Sequence, residues 1–244
     1  MHAPEYVDAV RTGHPRHLAE SSGFPWDPEV WRAVRASNGG ARAAALHALQ
    51  SGEHAGSLSS GLHHARRQSG AGFCTFNGLG LAARAVIDAG AERILILDLD
   101  AHVGDGTLDI VREWREVVHV DISICAWGAP AADPARASFD SIVRADDYLP
   151  AIERRLSACR GFDLCLYNAG MDLHEHSDIG GLEGISTAIL AERERLVFEW
   201  AEQERVPVAF VLAGGYAGSE LSREALVDLH RLTVSAAGLS RETR

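Results

Sequence analysis

The segment RILILDLDAHVGDG, residues 93–106, joins a short apolar run to a polar end. The run at 93–100 is rich in Ile and Leu, which is typical of a strand buried on both faces of a parallel sheet. Acidic and imidazole side chains lie at its end or just after it: Asp98, Asp100, His102 and Asp105. Because ligands bind beyond the carboxyl ends of strands in open parallel sheets, this segment predicts both an α/β fold and the position of a site.

Three further segments have the same apolar character and are predicted as parallel strands, at 116–122, 163–168 and 206–213. Helical patterns occur at 41–50, 77–89, 147–159, 184–204 and 222–237. This alternation predicts βαβ units with right-handed crossovers and a sheet that helices cover on both faces. The first 60 residues contain no obvious strand.

The chain contains no repeats or low-complexity tracts, and we expect a single domain over residues 1–244. The Gly-, Pro- and Ala-rich stretch at 126–137 is predicted to be a functional loop and not a linker, because the strand–helix alternation resumes after it.

Composition excludes several classes of protein. With 244 residues, 46% hydrophobic and 23% charged, the chain is expected to fold as an ordinary globule. A net charge of −11 argues against direct nucleic-acid binding, which needs a basic face. No apolar run approaches the roughly 20 residues that span a bilayer, and the N-terminus lacks a signal-peptide core. The four cysteines show no C-x-x-C spacing, so a reducing cytoplasm is expected.

The end of the first strand carries a candidate metal site. Asp100 and His102 are two residues apart in extended chain, so both can face one ion, and Asp172 follows a neighbouring strand. Two carboxylates and one imidazole suit Zn²⁺ or Fe²⁺ and leave a position for water. The alternative is a solvated turn with a surface histidine, which two aspartates closing an apolar strand make less favourable.

Other residues have open interpretations at this point. His63 and His64 could be a loop pair, although the glycine-rich turn GAGFC at 70–74 follows them and would let backbone approach a ligand. Tyr216 could be a packed aromatic or could present its hydroxyl to developing negative charge. His174 and His176 are interpreted as solvent-facing or as supports for metal ligands.

Taken together, these motifs resemble the zinc-dependent histone deacetylase superfamily, which includes bacterial acetoin-utilisation-type proteins and acetylpolyamine amidohydrolases. The resemblance rests on LHHA (62–65), SGAGFCTFN (69–77), DLDAHVGDGT (98–107), NAGMD (168–172) with GGL (180–182), and GGY (214–216). The motifs occur in the family's order, and their style is most similar to the class IV branch.

The resemblance implies an arginase–deacetylase three-layer α/β fold with a mostly parallel sheet. It implies zinc held by Asp100, His102 and Asp172. His64 would then be the general base, with His63 beside it to stabilise charge.

The same resemblance assigns the surrounding residues. Asp98 and Asp105 would hydrogen-bond His63 and His64, and Tyr216 would donate to the substrate carbonyl. Gly72 and Phe73 would line the acyl tunnel. The family's monovalent cation, usually K⁺, would draw on a set of side-chain and main-chain oxygens from Asp98, Asp100, His102, Asp121 and Ile122.

The function implied is removal of an acetyl or longer acyl group from an acylated amine, such as an acyl-lysine or an acetylpolyamine. The chain starts where the family is already one strand and one loop into its domain, so a shortened member that binds acyl ligands without hydrolysing them is one alternative. An arginase-like ureohydrolase with two manganese ions is another, less favoured because the later motifs lack its second carboxylate pair. A homo-oligomer remains open.

Overall fold

The computed structural model describes residues 1–124, 133 and 135–239, and their strands form one parallel sheet. The order across the sheet is β1-β6-β5-β2-β3-β4. The strands are β1 Ala55–Ser57, β2 Ile94–Asp98, β3 Val117–Ser123, β4 Ala137–Ser141, β5 Leu164–Gly170 and β6 Val208–Ala213. Every pairing is parallel, so all the carboxyl ends lie along the same edge of the sheet.

Helices connect the strands and cover both faces of the sheet. They are α1 Pro4–Thr12, α2 Arg16–Ala19, α3 Pro28–Ser51, α4 Gly78–Asp88, α5 Asp105–Val111, α6 Tyr148–Ala158, α7 Thr187–Glu204 and α8 Arg223–Leu239, with a 3-10 turn at Ala145–Asp147. Asp27 caps α3 by accepting from the Glu29 amide, and Asn77 caps α4 by accepting from the Gly80 amide.

Two hydrophobic cores lie on opposite faces of the sheet, and strand β2 contributes to both. Leu95 and Leu97 pack with residues from α6, α7 and α8. Ile94 and Ile96 pack with residues from α3, α4 and α5. Successive residues of β2 thus point into opposite cores. The strand is a continuous apolar run because it is covered on both faces and has no solvent-facing side.

The four predicted strands are present as β2, β3, β5 and β6, with ends within two residues of those expected. The predicted helices are also present, although the expected helix at 41–50 is only the C-terminal part of α3.

The expectation of no strand in the first 60 residues was wrong. Strand β1 has the sequence Ala-Gly-Ser, which lacks the β-branched and aromatic residues that mark strands. It pairs with β6, and the Phe210 ring lies directly over Gly56, where a side chain would collide with it. The strand therefore depends on a tertiary contact that its own three residues do not reveal. Strand β4 was also missed, because it is a short, polar edge strand.

The predicted loop at 126–137 lies outside the described residues at 126–132 and 134, and Ala137 begins β4. Among the helices described, none is both long and apolar enough to cross a membrane.

Candidate metal centre and active site

The candidate site lies beyond the carboxyl ends of β2, β5 and β6, which are neighbours in the sheet. The β2–β5 ladder ends with Asp98 opposite Asn168, so the segments that carry Asp100 and Asp172 leave the sheet side by side. The Ala101 amide donates to Asp172 Oδ1 across 3.0 Å, which joins the two segments. The topology thus brings together residues that are 72 positions apart in the sequence, since 172 − 100 = 72.

Asp100, His102 and Asp172 form a compact group of potential metal ligands, whose ligand atoms all lie within 4.8 Å of one another. His102 Nδ1 lies 3.1 Å from Asp172 Oδ2 and 3.3 Å from Asp100 Oδ1. Both carboxyl groups are buried, and His102 is partly exposed. An ion at this group could therefore be reached from solvent on the histidine side.

The electrostatics of this group favour a cation. Burial and the nearby charge of Asp100 raise the pKa of Asp172 to about 7. Burial opposes ionisation of Asp100 too, but the charge of His63 and hydrogen bonds from His102 outweigh it and lower the pKa of Asp100. Hydrogen bonds to Asp100 and Asp172 raise the pKa of His102 to about 10. Two carboxylates this close repel each other, and a metal ion is one way to stabilise both in ionised form.

Gly214 lets these carboxylates approach the backbone. It follows β6 with φ +27°, and a Cβ there would overlap both Asp100 Oδ2 and the Asp172 carboxyl group. Its carbonyl accepts from the Met171 amide at 2.8 Å. The close packing of these two carboxyl groups therefore requires a glycine at the first position after this strand.

His63 and His64 lie beside the metal group as a pair of rings with centroids 4.1 Å apart. His63 is buried, and its Nδ1 lies 3.0 Å from Asp98 Oδ2, as the resemblance implies. Its Nε2 lies 3.6 Å from Asp100 Oδ1. Burial lowers the pKa of His63, but the charges of Asp98 and Asp100 more than compensate and raise it well above its ordinary value. His63 thus favours the imidazolium form.

His64 has a different partner. Its Nδ1 lies 2.9 Å from Asp105 Oδ1, the contact that the resemblance implies. Burial raises the pKa of Asp105, but hydrogen bonds from His64 and Arg66 outweigh it and lower that pKa. Because the ionised carboxylate can only accept, His64 donates from Nδ1, and the neutral tautomer compatible with this contact has its lone pair on Nε2.

The sequence did not reveal two residues that bind the carboxylates next to these histidines. Arg66 donates to Asp105 Oδ2 from Nε at 2.9 Å and from Nη2. The side-chain Nδ2 of Asn168 donates to Asp98 Oδ1 at 2.8 Å and lies 3.4 Å from His63 Nδ1. Asn168 begins the NAGMD motif and Arg66 directly follows LHHA, but neither motif by itself shows what these residues contact.

A cavity of about 150 Å³ opens over this group. Its lining includes His63, His64, Asp100 and His102, together with Gly72, Phe73 and Tyr216. Phe73 is 47% exposed, and its ring lies 5.4 Å from that of Phe24 at the mouth. Burial and the charges of Asp172 and Asp100 raise the pKa of Tyr216, so its phenol keeps its proton.

Of the residues expected at a monovalent cation, Asp98 and Asp121 are paired across β2 and β3, whereas Asp100 and His102 belong to the group described above. Asp121 is buried, and its Oδ2 accepts from the Gly104 amide at 2.7 Å. Ligand atoms of Asp98, Asp121 and His119 all lie within 4.8 Å of one another, which makes this a second group able to hold a cation. Ile122 follows Asp121 in β3 and is fully buried. His119 was not among the residues predicted for this position.

His174 and His176 are not part of either group. His174 Nε2 lies 3.1 Å from the Thr187 hydroxyl, and its Nδ1 accepts from the His176 amide at 3.2 Å. These contacts shape the loop that follows Asp172 and joins it to α7.

The fold and these side chains define an α/β protein with an Asp–His–Asp ligand set at the strand ends and two carboxylate-bound histidines beside it. Comparison with known proteins gives the family. The family model described as "Histone deacetylase domain" matches residues 1–124. The chain belongs to the histone deacetylase family.

Individual relatives agree with this assignment. An uncharacterised protein from Picosynechococcus sp. is 34% identical over 89% of this chain and 74% of its own length. Histone deacetylase 2 of Arabidopsis thaliana is 30% identical over 66% of this chain and 44% of its own length. The crystal structure of acetylpolyamine aminohydrolase from Burkholderia pseudomallei has a TM-score of 0.74 at 22% identity, over 88% of this chain and 64% of that one. The chain thus spans less than two thirds of two of these three proteins, and the last likeness establishes the fold.

Proposed function

We propose that the protein is a metal-dependent amidohydrolase that removes an acetyl or longer acyl group from an acylated amine. The observation that carries this proposal is a cavity lined by Asp100 and His102 of the candidate metal group together with two histidines, His63 and His64, and Tyr216. Family membership supports deacylation, and the name of the Arabidopsis relative points to acyl-lysine as one substrate type.

Asp100, His102 and Asp172 would hold the metal. Two carboxylate oxygens and one imidazole nitrogen suit Zn²⁺, with Fe²⁺ as the alternative. The structural reason to place a cation among them is that two buried carboxyl groups and an imidazole bring their ligand atoms within 4.8 Å of one another. When bound, such an ion polarises the amide carbonyl and acidifies water.

His64 is proposed as the general base. With Nδ1 donating to Asp105, its Nε2 is free of a proton and takes one from the attacking water. The same proton then passes to the departing amine. Asp105 fixes the tautomer that this step needs, and Arg66 holds Asp105 in turn.

His63 and Tyr216 are proposed to stabilise the negative charge that develops on the carbonyl oxygen. His63 lies between two carboxylates and favours the charged form, so it supplies positive charge and not a base. The Tyr216 hydroxyl remains protonated and donates a hydrogen bond.

The cavity limits what can enter. At about 150 Å³ it is well below the ~300–1,000 Å³ typical of sites that enclose a whole small ligand. Only a slender acyl-amine end would reach the metal group, with Gly72 and Phe73 along its wall. The body of the substrate, whether a peptide or a polyamine, would stay outside. K⁺ is proposed near Asp98 and Asp121, where two buried carboxyl groups approach each other.

The test is acyl release by zinc-loaded protein from a panel of acylated lysine peptides and acetylpolyamines. His64→Ala is compared with His47→Ala, which removes an exposed histidine on α3. We expect turnover that His47→Ala retains and His64→Ala loses, with zinc still bound to both.

Two outcomes would contradict the proposal. Turnover that survives in His64→Ala would refute the assigned base. Saturable binding of an acyl-amine by wild-type protein, with no acyl release from any member of the panel, would favour an acyl-binding protein instead.

A further inference from the structure

We propose that Arg193 is a positioning residue that fixes the spacing between the two chain segments carrying Asp100 and Asp172. The inference rests on the proposed metal site and adds a residue that the deacylation scheme does not use. Arg193 lies on α7, on the side of the sheet opposite α4, and its side chain is fully buried. A buried arginine is costly unless every part of its charge is compensated, so its contacts show what it holds.

The guanidinium bridges the two ligand-bearing segments through their backbone. Arg193 Nη1 donates to the Gly170 carbonyl at 2.5 Å and to the Leu99 carbonyl at 3.3 Å. Leu99 immediately precedes Asp100, and Gly170 is the last residue of β5, two positions before Asp172. One cationic group thus contacts both segments next to their metal ligands.

This bridge acts where the sheet no longer holds the segments together. The paired residues of β2 and β5 end at Asp98 and Asn168, and the Leu99 amide makes one further bond to the Asn168 carbonyl at 3.1 Å. Beyond that point the Arg193 bridge and the bond from the Ala101 amide to Asp172 span the gap. Gly170 also lies against Asp100, since a Cβ there would be 2.5 Å from Asp100 Cα.

A second set of contacts fixes the guanidinium itself. Arg193 Nε donates to Glu194 Oε1 at 2.9 Å, and the Tyr167 hydroxyl donates to the same oxygen at 2.9 Å. Nη1 also lies 3.4 Å from the Tyr148 hydroxyl. All of these side chains are buried. A planar, permanently charged fork held on several edges is suited to setting a distance between two other groups.

The test measures zinc affinity and thermal stability on the same samples. Variants are Arg193→Met, Arg193→Lys and the double variant Arg193→Met/Glu194→Gln, which avoids leaving the Glu194 carboxyl buried without a cation. Zinc affinity is measured by competition with a chromogenic chelator. Val197→Ala is the matched control, because Val197 is fully buried one turn further along α7 and its loss weakens the same core.

We expect Arg193→Met and the double variant to bind zinc about 10–100-fold more weakly, which is typical when support of a metal ligand is lost. Arg193→Lys should recover part of that loss, because it keeps a buried cation but not the two-carbonyl fork. Val197→Ala should lower the unfolding temperature and leave zinc affinity within about threefold of wild type.

The inference is overturned if the arginine variants, at equal loss of unfolding temperature, bind zinc as Val197→Ala does. That result would leave Arg193 as a stability residue and the proposed function intact. If wild-type protein itself takes up no zinc, and Asp172→Ala changes nothing, the proposed metal site and this inference both fail.

Discussion

Gly214→Ala would test how the backbone of the GGY motif shapes the metal site. The added Cβ would overlap Asp100 Oδ2 and the Asp172 carboxyl group, which are two of the three proposed ligands. Gly214 also lies at φ +27°, a backbone conformation that residues with a Cβ adopt with strain. The substitution therefore has a steric effect on the ligands and a separate backbone cost.

The size of the steric effect follows from the overlap. The built Cβ lies about 1 Å closer to these oxygens than ordinary contact at 3.4 Å, so the carboxyl groups must retreat by roughly that amount. Misplacing reacting groups by about 1 Å can cost on the order of 10²-fold in rate. We expect acyl release to fall about 100-fold and zinc affinity to fall about 10–100-fold.

Gly90→Ala separates the two contributions. Gly90 has φ +101° and nothing within 4 Å of a built Cβ, so it carries a backbone cost of about 1–2 kcal/mol without steric overlap. Both variants are assayed for zinc affinity, acyl release and urea unfolding. If Gly214→Ala binds zinc and turns over like Gly90→Ala, the close packing of the carboxyl groups against Gly214 has been misread.

Four further predictions concern the residues of the proposed site. Tyr216→Phe should lower the rate of acyl release about 10²–10³-fold while zinc content by elemental analysis stays at the wild-type level, and near-normal turnover would remove the hydroxyl from the scheme. Asp105→Asn should slow acyl release about 10–100-fold by releasing His64, whereas an unchanged rate would show that this contact is dispensable. The pKa of Asp105 is lowered on folding, so wild-type protein should exceed Asp105→Asn in stability above the unfolded pKa of 3.8 and lose that advantage as pH falls through the lower folded value. Urea unfolding at pH 5, 3.5 and 2.5 measures this, and a stability difference that grows on acidification would reverse the assignment. Removal of metal by a chelator should lower the unfolding temperature, because the two buried carboxyl groups lose their shared cation, and added zinc should restore it. An unfolding temperature that responds neither to the chelator nor to zinc would argue against the metal site.

Much of the fold was predictable because buried parallel strands have a distinctive composition. Strands β2, β3, β5 and β6 are buried almost throughout and contain mostly apolar residues, so their sequences alone identify them. Strand β1 was not predictable, since Gly56 is fixed by the Phe210 ring from a strand more than 150 residues away. Edge strand β4 carries Ser and Asp, which do not distinguish a strand from a loop, so its sequence does not identify it.

The residues of the candidate site were likewise predictable only in part. Residue type and spacing near strand ends indicated Asp100, His102 and Asp172, because fold rules place such residues at one edge of the sheet. The contacts of His63 and His64 came from the family resemblance. Arg193 had no signal in the sequence, since it lies in the charged run ERER of an amphipathic helix, where arginines usually face solvent. Its burial against the Leu99 and Gly170 carbonyls arises only when α7 packs on the sheet.

Amide hydrolysis is proposed to depend on a metal ion held by Asp100, His102 and Asp172. The most direct measurement is the initial rate of acyl release as zinc is added stepwise to metal-free protein. We expect no turnover without metal, then a linear rise that stops at about one zinc per chain, and no rise for Asp172→Ala. A rate that is the same with and without metal, or a rise that Asp172→Ala reproduces, would contradict this proposal.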